Sequence, residues 1–303
     1  MSFRISTHTI HSTVSQVVQD AQQRVLLLQH GLADGKAIRR PSDDPVGAHI
    51  AMRYRERLRA NGQYQKSLSL AMSHLNATDS AHFAMEDLLS RARSIAITGA
   101  NDSNSGEARR ALAMEVDQII QSAADLGNRR FEGAYIFGGT QTLEPPYTVA
   151  MNGEGLVQSV TVNPLGIDKP VLRQVGRDVS LSIHVSGDDV FGENQEAFQN
   201  LLELREALLA EDVPKIQSMQ VALETDQTRT VGSHTLVGSL IRRSETLQTR
   251  LLDDEIANES GRSQVEDLDI GRAMLEFNQA QTALEAALNA GSKILESSLL
   301  RYL

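Results

Sequence analysis

The sequence contains no cysteine and no tryptophan, and its seven Phe and five Tyr make up only 4% of 303 residues. Without cysteine there can be neither a disulfide framework nor a thiolate-ligated metal site. Positive charge is also scarce, since 29 Lys and Arg stand against 39 Asp and Glu, for a formal net charge of −10. We therefore expect no nucleic-acid partner.

Long apolar runs are missing as well. No window approaches 18 consecutive apolar residues, so we expect no membrane insertion. The segment from Met1 to Val18 has neither a basic start nor an apolar stretch, and we expect no conventional signal peptide. The protein is then either cytoplasmic or exported by a route that does not use such a signal.

Apolar residues are present in steps of four and three along most of the chain, the spacing of a helix that packs against another helix. The N-terminal assembly seam consists of Val14, Val18, Ala21, Val25, Leu28 and Leu32. The C-terminal assembly seam consists of Ile270, Met274, Phe277, Gln281, Leu284, Leu288, Gly291 and Leu295. Gln281 and Gly291 interrupt the second seam, as residues that fix register do.

In the middle of the chain the spacing of apolar residues changes from a helical period to a period of two. The segments 157–162, 171–175 and 179–185 alternate apolar and polar residues and predict short strands. The predicted fold is mainly α: a discontinuous helical-bundle or coiled-coil core built from both termini, with a small β-rich central insert. Five parts are expected: a coiled-coil helix (1–40), a helical hairpin (41–139), the insert (140–193), returning long helices (194–265) and a C-terminal coiled-coil helix (266–303) that pairs with 1–40.

A terminal helix of this composition cannot be stable alone. Burial of the six N-terminal seam residues contributes ~8 to 15 kcal/mol, at about 1.5 to 3 for each larger side chain. Ordering of ~20 residues costs roughly 30 kcal/mol. We hypothesise that the two termini pair and complete their burial only in an assembly.

Sequence motifs for catalysis, metal binding or phosphate binding are weak. No Glu-x-x-His pair is present, and only Asp79 with His82 places a carboxylate and an imidazole one helical turn apart. His82 also lies on a helix seam, which favours a packed structural histidine; His8 and His11 lack a third ligand. Residues 31–36 resemble a phosphate-binding loop but are one residue short. We predict no catalytic residue, no metal site and no cofactor.

The turn after the first helix contains Pro41, Ser42, Asp43, Asp44 and Pro45. The two prolines restrict the backbone, and one of the three polar residues can cap the next helix. We predict that this interdomain turn sets the angle between the terminal helix and the outer domain.

Several segments are similar to known sequences. Residues 35–48 (GKAIRRPSDDPVGA) resemble the turn that follows the first helix in the flagellin superfamily. Residues 135–140 (YIFGGT) are similar to a segment typical of hook-associated proteins of that superfamily, and 258–263, 265–273 and 281–287 resemble its C-terminal helix. The similarity covers roughly residues 1–140 and 195–303.

The resemblance implies a structural, non-enzymatic subunit of the bacterial flagellum at the junction of hook and filament. Its partners would be flagellin, another hook-associated protein on the hook side, and identical subunits in a ring. It would be secreted unfolded with the help of an export chaperone and the type III export apparatus. The paired terminal helices would line the inner tube, and the β-rich insert would face outward.

Three other interpretations stay open. Residues 299–301 (LLR) are flagellin-like, so flagellin itself is the nearest alternative. An intracellular helical adaptor or signalling coiled coil would use the same seams to bind a partner. An enzyme is the third, least supported interpretation.

Overall fold

A computed structural model of the chain describes residues 7–163, 171–183 and 185–299. The helices are α1 (Thr7–Asp34), α2 (Pro45–Gly99), α3 (Gly106–Gly127), α4 (Asp188–Phe191), α5 (Glu196–Leu209), α6 (Val213–Glu266) and α7 (Ile270–Leu299). The strands are β1 (Arg130–Phe131), β2 (Ala134–Tyr135), β3 (Tyr147–Met151), β4 (Val157–Val162), β5 (Leu172–Gln174) and β6 (Ser180–Ser182). The predicted fold class, mainly α with a small β-rich insert, is confirmed.

The chain divides into two compact units. The terminal unit combines residues 1–60 with 253–303, and the central unit spans residues 61–252. The boundaries after Ala60 and Leu252 fall within α2 and α6, so each of these helices contributes residues to both units. The five-part division expected from the sequence stays a prediction.

In the terminal unit, α1 packs against α7. The segment after α1 also pairs with the segment after α6: the Ala37 amide donates to the Glu266 carbonyl at 2.8 Å, and the Leu268 amide donates to the Gly35 carbonyl at 2.9 Å. Gly35 follows the last residue of α1 and has a φ of +66°, a backbone conformation that favours glycine and ends helices. These bonds join the two ends of the chain at one point beyond α1.

The central unit has a dense apolar core. Its main cluster combines residues of α2, α3, α5 and α6 with residues of the strands. Four aromatic rings meet within it: Phe191 stacks on Phe198 at 4.9 Å, and Tyr147 and Phe137 pack against Phe191. A second, smaller cluster places Leu68, Leu75 and Leu181 under the β5–β6 hairpin.

The insert consists of small antiparallel pairs rather than one sheet. β1 pairs with β2, β3 with β4 and β5 with β6. The segments predicted as strands contain β4, β5 and β6, whereas β1, β2 and β3 were not predicted. β3 is set by contacts distant in sequence, since the Asn128 side chain donates to the Tyr147 carbonyl and accepts from its amide, at 2.8 and 3.0 Å.

A buried ion pair attaches the β3–β4 hairpin to the helices. Asp117 of α3 and Arg205 of α5 are 2.5 Å apart, and both are buried. Asp117 also accepts from the Val157 amide at 3.0 Å, while Arg205 donates to the Val157 carbonyl at 2.5 Å. One carboxylate and one guanidinium thereby satisfy both backbone groups at the start of β4.

Candidate assembly site

The predicted N-terminal seam coincides with the half-buried face of α1. All six residues of the seam are half-buried, whereas Val17, Leu26 and Leu27 on the other side of the helix are exposed. The apolar residues of α1 that are spaced four and three apart therefore lie on the side of the helix that packs against the rest of the chain. A wide apolar surface stays uncovered on its other side.

The contact face of α7 is rotated relative to the predicted C-terminal seam. Its covered residues are again four and three apart: Ala273, Phe277, Ala280, Leu284, Ala287 and Gly291. Phe277, Leu284 and Gly291 belong to the predicted seam, but Ile270, Met274, Gln281 and Leu288 lie exposed. The side chain of Leu295 lies outside the described residues. Alanine and glycine form most of this face because small residues let two helices approach closely, whereas Ile270, Met274 and Leu288 are exposed outside it.

Gly291 illustrates this close approach. A β-carbon at residue 291 would lie 2.9 Å from Cγ1 of Val14, which belongs to the N-terminal seam. The two predicted seams therefore meet at this point. The assembly role of all the seam residues stays a prediction.

The terminal unit exposes many large apolar side chains. They lie on α1, the first turns of α2, the end of α6 and α7: Val17, Leu26, Leu27, Val46, Ile50, Met52, Ile256, Ile270, Met274, Leu275 and Leu288. Exposed apolar surface on this scale is typical of an interaction site. Ile270, Met274 and Leu288 of this surface belong to the predicted C-terminal seam, whereas the residues on α1, α2 and α6 were not predicted.

The interdomain turn is an ordered structure that two carboxylates stabilise. Asp44 caps α2, because its Oδ1 accepts from the amides of Val46 and Gly47, each at 3.0 Å. Pro45 then occupies the first position of the helix, where an amide hydrogen is not needed.

The neighbouring carboxylate of Asp43 holds the preceding residues. It accepts from the amides of Arg40 and Arg39 at 2.8 and 3.1 Å, and these bonds lower the pKa of Asp43 below its ordinary value. Of the three polar residues predicted as candidates, Asp44 is therefore the cap. The predicted effect of the turn on the angle between domains stays a prediction.

The sequence analysis missed a buried ionic cluster beside this turn. Glu266, at the end of α6, is 1% exposed, and its Oε1 accepts from Lys36 Nζ at 2.5 Å and from the guanidinium of Arg55. Burial opposes ionisation of this carboxyl group, but the hydrogen bonds from Lys36 and Arg55 outweigh it and lower its pKa. A carboxylate that is 211 residues from its arginine partner leaves no local signal in the sequence.

Asp79 and His82, the carboxylate and imidazole pair considered in the sequence, form structural hydrogen bonds in the central unit. His82 is fully buried; its Nδ1 lies 2.8 Å from the Thr78 carbonyl and its Nε2 lies 2.9 Å from the Ser233 hydroxyl. Asp79 contacts His234 instead, at 3.0 Å. Within the described part of the chain no group of three or more His, Asp or Glu side chains is arranged to hold a metal ion. None of the helices in that part combines the length and the apolar character of a membrane span. The side chains of His8 and His11 lie outside the described residues.

Comparison with known proteins gives a consistent result. Residues 5–142 match the family described as the bacterial flagellin N-terminal helical region. Flagellar hook-associated protein 3 of Salmonella typhimurium is 23% identical over 94% of this chain and 94% of its own length. Flagellin of Listeria monocytogenes is 21% identical over 94% of this chain and 93% of its own length. The crystal structure of the flagellar junction protein FlgL from Legionella pneumophila superposes with a TM-score of 0.59, at 13% identity, and covers 72% of this chain and all of that chain.

Proposed function

We propose that this chain, a member of the flagellin superfamily, is a structural subunit of the bacterial flagellum that joins the hook-associated zone to the flagellin filament. The observation that carries the proposal is the terminal unit. Its two terminal helices pair through their covered faces and expose large apolar side chains elsewhere on both helices. Relatives named as hook-associated protein 3 that span nearly the whole chain support the junction role.

The proposed place between the hook-associated zone and the filament determines the partners of the subunit. One end of the subunit contacts flagellin, the other contacts a further hook-associated protein, and identical copies form a ring. The protein acts outside the cell and reaches its place through the type III export apparatus with an export chaperone. No catalytic step is part of this role.

Deletion of the gene tests the proposal. Cells without the protein should lose their filaments and release unpolymerised flagellin into the medium. Intact filaments after deletion would contradict the junction role and favour an intracellular adaptor. If the deletion instead removed the filament protein itself, with no flagellin in the medium, the chain would be flagellin.

A pair of substitutions connects the function to the seams. Val25→Asp places a charge on the half-buried face of α1, where it disrupts the contact with α7, and should abolish filament formation when it replaces the native gene. Gln22→Asp, on the exposed side of the same helix, is the matched control and should retain filaments. Secretion of both variants, followed in the culture medium, separates an assembly defect from an export defect.

A further inference from the structure

The exposed surface of the terminal unit carries opposite charges on two neighbouring helices. The first part of α2, from Pro45 to Ala60, contains four arginines and one glutamate, for a net charge of +3. The last part of α6, from Asp253 to Glu266, contains five acidic side chains and one arginine, for a net charge of −4. The two helices run antiparallel, because Tyr54 lies against Gly261, whereas Asn61, further along α2, donates to the carbonyl of Leu251, which comes earlier in α6.

On α2 the charge and the apolar residues share one exposed stripe. Val46, Ile50, Arg53 and Arg57 are separated by four, three and four residues and therefore lie on one side of the helix. All four are exposed, and neither arginine forms an ion pair with any described residue. The guanidinium of Arg57 lies over the Tyr54 ring, 6.0 Å from its centre. We call these four residues the basic stripe.

On α6 the corresponding face is acidic around one apolar residue. Asp253, Ile256 and Glu259 are three residues apart, so they occupy adjacent turns on the same side. Ile256 is 69% exposed, and both carboxylates are exposed as well. Glu259 contacts Arg262 at 2.6 Å, whereas Asp253 has no ion-pair partner among the described residues. We call these three residues the acidic face.

The two surfaces are complementary but do not meet within the chain. In this region Arg55 of α2 pairs with Glu266 of α6, and neither of these residues belongs to the basic stripe or to the acidic face. Each surface has an exposed isoleucine beside a charge that lacks a partner. Two surfaces of this kind can bind each other, because their apolar residues can pack together at the centre of the contact. The positive charges of one surface then lie opposite the negative charges of the other.

We infer that the basic stripe of one copy binds the acidic face of the next copy in the assembled ring. This inference rests on the proposed function, because a head-to-tail contact between two different surfaces generates rings or tubes of identical subunits. The contact buries Ile50 and Ile256 at its centre. It pairs Arg53 and Arg57 with Asp253 and Glu259 at its edge, which selects the direction in which copies join.

Cross-linking between two differently tagged full-length copies tests the contact, and the absence of native cysteine leaves the introduced thiols unambiguous. One copy carries Ile50→Cys and the other Ile256→Cys; both are produced in cells that lack the native gene, and their isolated flagella are treated with a short bis-maleimide. The expected product contains both tags. Two copies that both carry Ile50→Cys, or an Ile256→Cys copy with a Leu143→Cys copy, should give none. Leu143 is highly exposed but lies in the central unit.

Charge reversal then tests direction and specificity. Arg53→Glu with Arg57→Glu in the Ile50→Cys copy should lower the cross-linked fraction at least ~tenfold, because like charges across an interface are strongly unfavourable. Reversal of the partner's Asp253 and Glu259 to Arg should restore it. If the Ile50 and Ile256 variants do not restore filaments, Val46→Cys with Ser260→Cys repeats the measurement one turn away.

The outcomes separate the two proposals. Filaments without a mixed-tag product, or a product that charge reversal does not change, would overturn the contact while leaving the junction role intact. Loss of the junction role would be seen earlier, as filaments that persist when the gene is deleted.

Discussion

The two units of the molecule bury different kinds of residue. Both apolar clusters of the core belong to the central unit, and they contain leucine, isoleucine, methionine and aromatic side chains. In the terminal unit, the fully buried apolar side chains among the described residues are all alanine: Ala48, Ala51, Ala273 and Ala280. The large apolar residues of the terminal unit are half-buried or exposed instead.

This difference indicates that large apolar side chains stabilise the fold of the central unit but are available for contacts with other molecules in the terminal unit. Burial of a large apolar side chain contributes about 1.5 to 3 kcal/mol, and burial of alanine contributes much less. The central unit therefore has the interactions to fold as a subunit without partners. The large apolar side chains of the terminal unit stay half-buried or exposed, which agrees with the hypothesis that its burial is completed in an assembly.

The largest expected difference between the units comes from truncation of apolar residues. Phe198→Ala removes a ring that is 1% exposed and stacked on Phe191, and should destabilise the central unit by about 3–5 kcal/mol. Leu27→Ala removes a side chain of α1 that is 68% exposed and should change stability by less than ~0.5 kcal/mol. Amide exchange, followed separately for peptides of each unit, measures both. Equal losses of stability in the two variants would contradict the conclusion that the two units bury different kinds of residue.

The pH dependence should also differ between the units, because the central unit buries a neutral histidine. Burial lowers the pKa of His82 below its ordinary value of 6.5, against smaller opposing effects of the Thr78 carbonyl, Asp79 and Glu86, while His234 lowers it further. The unfolded chain then binds a proton more readily than the folded chain, so stability falls as the pH drops below about 6.5.

The expected slope is at most about 1.4 kcal/mol per pH unit for one proton. Thermal unfolding of the central unit between pH 7.5 and 5.5 measures it. His82→Gln removes the titrating ring and should flatten the curve, although its own stability is lower. An unchanged slope in the variant would assign the pH dependence to other groups.

A smaller effect is expected from the helix cap in the interdomain turn. Asp44→Ala leaves the amides of Val46 and Gly47 without their acceptor and should destabilise the start of α2 by about 1 kcal/mol. Faster amide exchange at residues 46–48 is the direct readout. The Asp43→Ala, Asp44→Ala double variant should impair motility more than it impairs solubility. Normal motility of this variant would contradict a role of the turn in assembly.

The sequence alone predicts much of the fold, because the dominant signals are local. The period of apolar residues in α1, the glycine that ends it and the resemblance of residues 35–48 to the flagellin superfamily all lie within short segments, and the resemblance is confirmed. The helix α6 ends at Glu266. No glycine or proline marks its end there.

Features that depend on distant partners were not predicted. The acidic residue that ends α6 becomes a buried ion only because Lys36 and Arg55 reach it from the other end of the chain. The face of α7 that contacts α1 likewise depends on a distant partner: it combines Phe277, Leu284 and Gly291 of the predicted seam with Ala273, Ala280 and Ala287, and the assembly role of the exposed seam residues stays a prediction. Packing distance between helices, rather than hydrophobicity, decides which face is inside.

The smallest effect that sharpens the comparison comes from glycine to alanine substitution in the two units. Gly62→Ala adds a methyl group in α2 with nothing within 4 Å, and should stabilise the central unit by about 0.5–1 kcal/mol, because alanine is the better helix former. Gly291→Ala makes the same intrinsic change in α7, but its methyl group would meet Val14 at 2.9 Å. The steric contact pushes α7 away from α1, so the gain should be lost and amide exchange in α1 should become faster. Slower exchange in α1 would mean that the two helices are not held at the distance that glycine permits.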